Sequence, residues 1–290
     1  MKIKESELII NPDGSIFHLH ILPEDIADHI LLVGDPGRVE VVSSFFDSIE
    51  LKKQNREFYT ITGTYNHQRV SVISTGIGTD NIDIVVNELD ALANIDLKTR
   101  EKKPQHKTLN LIRIGTSGSL QEDIPVDSFL MSARSIGFDG LLNFYANRNQ
   151  IADLEFEKAF KEEVQWNPLL SSPYIVDASE KLIRKLDGDN IKKGITISAP
   201  GFYGPQGRVL RLPIIDPAIN DKIEAFEYHK QKITNYEMES SAIYGLSKLL
   251  GHHAITLCVI IANRASKTYS KDYKPAVKKL IKTVLDRLTQ

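Results

Sequence analysis

Val70-Ser71-Val72-Ile73 runs directly into Ser74-Thr75-Gly76-Ile77-Gly78, after which apolar residues return at Ile82, Val85, Val86, Leu89 and Leu92. The first run is short and apolar, as in a buried strand. The glycines permit a tight turn, and the spacing of three and four marks one face of a helix. The same order recurs. Ile30-Leu31-Leu32-Val33 leads into Gly34-Asp35-Pro36-Gly37-Arg38 and a short helical stretch, and Leu109-Asn110-Leu111-Ile112-Arg113-Ile114 leads into a glycine-rich turn, Gly115-Thr116-Ser117-Gly118. Farther on, Gly194 to Ser198 and Thr256 to Ala262 read as strands. Tyr236 to Leu250 reads as a helix stopped by Gly251, and Tyr273 to Leu288 as an amphipathic helix.

Short apolar strands alternating with helices predict an α/β fold, with helices on both faces of a mainly parallel sheet. In such sheets ligands collect at the strand C-terminal ends, where these loops converge. Lys98 to Thr108 reads as a solvated connector, residues 141–175 carry no readable pattern, and residues 1–290 are taken as one domain. Lys and Arg (36) nearly balance Asp and Glu (38), so no net field favours nucleic acid or an acidic membrane. No apolar run reaches membrane-spanning length and the first residues lack a signal-peptide core, so a cytoplasmic location is expected. The single cysteine, Cys258, lies in the apolar run Thr256 to Ile261 and reads as a buried strand residue without a reactive role.

Several loops carry chemistry. Gly34 to Arg38 presents backbone amides before a helix, a natural anion site, and Arg38 adds charge. Arg113 interrupts an apolar run, where a guanidinium needs an anionic partner, either a bound anion or a carboxylate of the chain. Arg56 is a further candidate. Neither a P-loop nor a dinucleotide fingerprint occurs. The loop Phe202-Tyr203-Gly204-Pro205-Gln206-Gly207-Arg208 offers an aromatic face, an amide and a guanidinium, a set suited to a flat heterocycle whose edge alternates acceptor, donor, acceptor, as in uracil; taken alone, the loop is better read as solvated surface. Glu237 and Glu239 sit at the start of the predicted helix, where capping is the local reading and a carboxylate aimed at sugar hydroxyls the alternative. His18/His20 and His252/His253 lack a third ligand at a familiar spacing, so no metal site is expected.

Together the motifs FHL (17–19), GDPGR (34–38), REF (56–58), STGIG (74–78), RIGTSG (113–118), FYGPQGR (202–208), YEMES (236–240) and NR (263–264) resemble the nucleoside phosphorylases, most closely the uridine-cleaving branch. The resemblance implies a three-layer α/β/α sandwich around a mixed, partly closed central sheet. It implies phosphate held by Gly34, Arg38, Arg113 and Thr116, with Arg56 from a neighbouring subunit. Ribose would meet Thr116, Met238 and Glu239, with the neighbour's His18 at the 5′-hydroxyl. Phe202, Gln206 and Arg208 would bind the base, with Ser117, Gly118, Glu237 and Arg264 near or behind it. In that chemistry phosphate attacks the anomeric carbon while Arg113, Glu239, Gln206 and Arg208 stabilise the separating charges, with phosphate as co-substrate and no organic cofactor or metal. The implied partners are a small nucleoside, phosphate and further copies of the chain, at least a dimer and up to a hexamer.

Purine-cleaving relatives carry an acid after the last core strand; here Ala262-Asn263-Arg264-Ala265-Ser266 has none, which favours uridine over purine nucleosides. The sequence departs from the bacterial pattern at Gly204-Pro205, which reverses the Pro-Gly order. It departs again at Asn81, where some relatives place a serine ligand to potassium, although Glu57 and Ile77 match. The alternatives left open are phosphorolysis of a purine nucleoside or a deoxypyrimidine nucleoside, and non-catalytic nucleoside binding on the same fold.

Overall fold

The stretch from Val70 to Leu92 folds as its spacing predicts. In a computed structural model describing residues 2–290, Gln68–Ser74 is a strand and Thr79–Asn94 a helix that buries Ile82, Val85, Val86, Leu89 and Leu92. The turn between them needs glycine, because Gly76 and Gly78 have φ of 72° and 99°.

Among the described residues ten longer strands build the central sheet, β1 (His29–Val33), β2 (Ser48–Asn55), β3 (Phe58–Tyr65), β4 (Gln68–Ser74), β5 (Asn110–Ser119), β6 (Phe129–Gly137), β7 (Tyr174–Asp177), β8 (Ile191–Ser198), β9 (Gln231–Glu237) and β10 (His253–Asn263), and the two-residue strands Glu227–Tyr228 and Thr268–Tyr269 add to β9 and β10. Their order is β9-β8-β6-β10-β5-β1-β4-β3-β2, with β7 paired to β6. β5-β1-β4, β6-β8-β9 and β5-β10 are parallel; β2-β3-β4, β6-β10 and β6-β7 are antiparallel. An antiparallel contact of Asn235 and Tyr236 with Ser119 and Gly118 joins β9 back to β5, so part of the sheet closes on itself. The mixed, partly closed sheet matches the expectation, although antiparallel pairs interrupt the parallel ones more than the strand–helix alternation suggests.

Seven helices flank it: α1 (Pro36–Ser43), α2 (Thr79–Asn94), α3 (Leu154–Glu163), α4 (Glu180–Leu186), α5 (Ile219–Ala225), α6 (Ser240–Leu250) and α7 (Lys274–Thr289). α2 packs on α6, which lies across β6, β8 and β10. α1 and α4 pack on α7, which lies against β5 and β10. These two helical groups and the sheet make the three-layer α/β/α sandwich. No helix among the described residues is long and apolar enough to cross a membrane.

Two sequence expectations shift. The helix read from Tyr236 begins at Ser240, because Ile233 to Glu237 pair in parallel with β8 as strand β9. Gly115 to Gly118 is not a turn: β5 continues through it to Ser119, held by β10 on one side and β9 at its end. Backbone pairing from distant segments overrides the local turn preference of Gly-Thr-Ser-Gly. Residues 141–175 hold two short 3-10 turns, α3 and the start of β7.

Candidate active site

The loops after β1, β4, β8, β9 and β10 meet the distal half of β5. Arg113 lies on β5 with its side chain only 7% exposed. Gly115 makes the seat for its guanidinium, because a Cβ there would overlap Arg113 Nη1. Nη2 donates to Glu239 Oε2; Nη1 is 3.3 Å from Glu237 Oε2 and 3.7 Å from Cys258 Sγ. Nε is buried without a partner among the described residues. Burial opposes the charge on Arg113, but Glu239 and Glu237 outweigh it and raise its pKa. The anionic partner that a buried guanidinium demands is therefore supplied by the chain itself.

Arg38, on α1, has no such relief. Its side chain makes one hydrogen bond, Nη1 to the Ile114 carbonyl at 3.3 Å, and no ion pair among the described residues. Burial and the positive charge of Arg113 lower its pKa. The two guanidinium groups are close enough to act on each other, and one without a carboxylate partner can take an anionic ligand. The amide cradle expected at the start of α1 is partly spent, since Asp35 accepts from Gly37 N at 2.8 Å as the helix cap. The Gly34 turn lies beside the next turn, and a Cβ on Gly34 would stand 3.4 Å from the Gly76 carbonyl. Thr116, partly buried on β5, has a hydroxyl without a hydrogen bond among the described residues.

The two glutamates divide their work. Glu237 ends β9 and accepts from Ser198 Oγ at 2.5 Å, Ser240 Oγ at 2.7 Å, and the amides of Glu239 and Ser240 at 2.9 and 3.0 Å. It caps α6 and backs Arg113. Glu239 accepts from Gly78 N at 2.8 Å with Oε1 and from Arg113 with Oε2, and its pKa is raised by burial against the pull of Arg113. This carboxylate is fixed at both oxygens, each keeping acceptor capacity for a ligand hydroxyl. Met238 between them is partly buried.

The second half of the site is a clamp around Gln206. This residue is 3% exposed, and its Oε1 accepts from Arg208 Nη1 at 2.6 Å and Arg264 Nη2 at 2.9 Å. The amide is thereby oriented, and Nε2 has no partner among the described residues. Arg264 also donates to the Gln206 carbonyl and lies 4.8 Å above the Tyr236 ring. Burial and the charge of Arg208 lower its pKa to about 10. Arg208 spans Phe202, its Cζ 3.8 Å from the ring centroid, so one face of that half-exposed ring is already covered. Ser117 receives a hydrogen bond from Asn235 Nδ2 at 3.0 Å, and a Cβ on Gly118 would stand 3.9 Å from Arg264 Nε. Asn263 donates to the carbonyls of Gln121 and Ile124, so it supports the β10 end while Arg264 turns inward.

Arg56 and His18 make no hydrogen bond or ion pair with this cluster among the described residues. Arg56 sits exposed in the β2–β3 turn with φ of 52°, its Cζ 5.9 Å from the Phe17 centroid. Asn55 Nδ2 donates to the His18 carbonyl at 2.9 Å, and His18 Nδ1 lies 2.6 Å from Glu88 Oε1. The two residues form one group, and no hydrogen bond or ion pair among the described residues links it to Arg113 or Glu239.

Sequence reasoning missed Asn220, which donates to the Gln206 carbonyl at 3.3 Å and accepts from the Tyr236 hydroxyl at 3.2 Å. It also missed a third partner for His252: Asp90, His106 and His252 place ligand-type atoms within 4.8 Å of one another. His252 Nδ1 accepts from Leu109 N at 3.1 Å, which puts the hydrogen on Nε2, facing Asp90 Oδ1 at 3.1 Å. That tautomer closes the lone pair a metal would need, so the group is a hydrogen-bonded staple. Neither set carried a local signal. Cys258 is buried beside Arg113, and burial pushes its thiol up to about 12. A thiol reagent at mildly alkaline pH is expected to label it only after unfolding; rapid labelling of the native protein would contradict this placement.

The family model described as the Phosphorylase superfamily matches residues 28–289, and the chain belongs to that family. Among its relatives, a uridine phosphorylase of Thermococcus kodakarensis is 28% identical over 267 residues, 89% of this chain and 81% of the relative. A DeoD-type purine nucleoside phosphorylase of Listeria monocytogenes is 29% identical over 244 residues, 84% of this chain and 85% of the relative. A crystal structure of a Trypanosoma brucei nucleoside phosphorylase, described as showing uridine phosphorylase activity, is similar with a TM-score of 0.87 and 30% identity, covering 97% of this chain and 99% of that one.

Proposed function

We propose that the chain catalyses phosphorolysis of uridine to uracil and ribose 1-phosphate, a step of nucleoside salvage. The observation that carries the reading is the Gln206 clamp: an oriented amide with a free NH2, two guanidinium groups beside it and no acid on the β10 end. A departing uracil carries negative charge on its carbonyl oxygens, which such donors stabilise as an oxyanion hole does. A purine leaving group needs a proton at its ring nitrogen, for which Asn263 and Arg264 are poor sources at neutral pH. In this reading base binding exchanges one guanidinium at Gln206 Oε1 for the imide N–H.

Phosphate occupies the space between Arg38 and Arg113, beside Gly34 and Thr116. Glu239 holds the ribose hydroxyls next to Met238 as cationic character builds on the sugar. From Arg113 to Ser117 β5 spans about 13 Å at roughly 3.3 Å per residue, room for phosphate, pentose and base in line. Incubation with uridine should release uracil only when phosphate is present. Equal cleavage without phosphate, or a strong preference for inosine, defeats the reading.

Arg56 and His18 fit as contributions from a second copy of the chain, since no hydrogen bond or ion pair among the described residues links them to Arg113 or Glu239. Arg56→Ala and Arg38→Ala variants are each expected to be nearly inactive. Mixed dimers regain one intact site, giving about a quarter of the parental activity in an equal mixture. No recovery on mixing would place both residues in the same site, or outside it.

A further inference from the structure

A cavity of about 840 Å³ lies against the base loop, and of the residues assigned to the reaction only Arg208 lines it. Its lining is drawn from three segments, Trp166 to Ser171, Pro200 to Arg208 and Leu210 to Asp216, together with Phe138 and Ile219. Four of their apolar side chains stand open: Leu169, Leu210, Leu212 and Ile215 are 83%, 73%, 81% and 61% exposed. So much contiguous apolar surface on one concavity marks a binding site.

The charges in the wall choose the ligand. Arg211 makes no hydrogen bond or ion pair among the described residues. Arg208 engages Gln206 and the Phe202 carbonyl through Nη1 alone, at 2.6 Å each. The one carboxylate in the wall, Asp216, is already held by Lys222 Nζ at 2.9 Å and Ala218 N at 3.0 Å. The concavity thus combines an aliphatic lining with two under-neutralised guanidinium groups, complementary to one anionic head on an apolar body. A nucleotide is a poorer match, because its polar base edge and several phosphate oxygens would face leucines.

We infer that this cavity is a second ligand site for a medium-chain carboxylate, with the acyl chain between the Leu169 and Leu212 walls and the carboxylate at Arg211 and Arg208. Arg208 also orients Gln206, so an occupant that draws this guanidinium away loosens the base clamp.

Trp166 is the only tryptophan of the chain and lines the cavity, so it reports occupancy without a label. Titration of the native protein with decanoate below its micellar concentration is expected to change Trp166 fluorescence saturably. Decanol should bind at least tenfold more weakly. Arg211→Gln should weaken decanoate at least tenfold, leave decanol unchanged, and leave phosphorolysis without decanoate at the parental rate. Three outcomes overturn the inference: no saturable signal, equal affinity for decanoate and decanol, or a Trp166 signal that follows protein concentration with a rise in mass, which would assign the face to a second copy of the chain. The binding assay does not depend on turnover, so its failure and failure of the uridine reading are separable.

Discussion

Arg113→Ala is expected to lower kcat/KM for phosphorolysis at least about 10³-fold, the loss that accompanies removal of a cationic clamp on a reacting phosphate. It should also destabilise the fold. Arg113 is buried against Glu239 and Glu237, and its removal leaves two carboxylates facing each other with no counter-charge. Breaking one side of a buried ion pair costs about 3–5 kcal/mol. The cost depends on pH. Burial already raises the Glu239 pKa above its ordinary 4.5, and loss of the opposing pull of Arg113 raises it further. A carboxyl whose folded pKa is raised supports the fold below its unfolded value and loses that support as pH climbs through the folded one. The melting-temperature deficit of Arg113→Ala against the parent should therefore be smallest near pH 4.5 and widen toward neutrality. Arg113→Lys keeps the charge and should recover most of the stability but little of the activity, because the planar fork is lost. Thermal melts across pH with steady-state kinetics test both halves. A variant as stable as the parent at neutral pH, still dependent on phosphate, removes Arg113 from the phosphate clamp and from the buried ion pair alike.

Gln206→Leu is expected to cut kcat/KM for uridine by about 10²-fold, the loss typical of one oxyanion donor, with the KM for phosphate unchanged. Leucine keeps the volume but leaves Arg208 and Arg264 without the Oε1 that both donate to. The two guanidinium groups then repel across a partly buried space, and the loop from Phe202 loses its anchor. Arg264 still reaches the backbone carbonyl of residue 206, so the fold is expected to hold. An unchanged uridine rate removes Gln206 from the site. A loss expressed as a raised KM for phosphate would move it to the phosphate half.

Much of the fold was legible because its signal is local. Two apolar runs followed by glycine turns became strand, turn and helix, His29 to Ser43 and Gln68 to Asn94. Legibility failed where pairing came from far away. Tyr236 carries a helical pattern but pairs with β8 and β5, and Gly115 to Gly118 has turn chemistry but pairs along β10. The site shows the same division. Arg38, Arg113, Gln206 and Glu239 stood out as charged or amide groups in unusual settings. Their partnerships did not: Arg113 and Glu239 are 126 residues apart, and Arg264 and Gln206 are 58 apart.

By itself the sequence determined the alternation of strands and helices, the ends at which loops converge, and the residue types available for an anion and a flat base. Only the tertiary structure decided that Glu237 is consumed by the α6 cap while Glu239 keeps acceptor capacity for a ligand. It also decided that Gln206 presents its NH2 rather than its oxygen, and that among the described residues His18 is held by Glu88 and not by Arg113 or Glu239. The physical reason is range. Periodicity and turn chemistry act over a few residues, whereas the orientation of a buried polar group is set by whichever donors and acceptors the whole chain brings within hydrogen-bond distance.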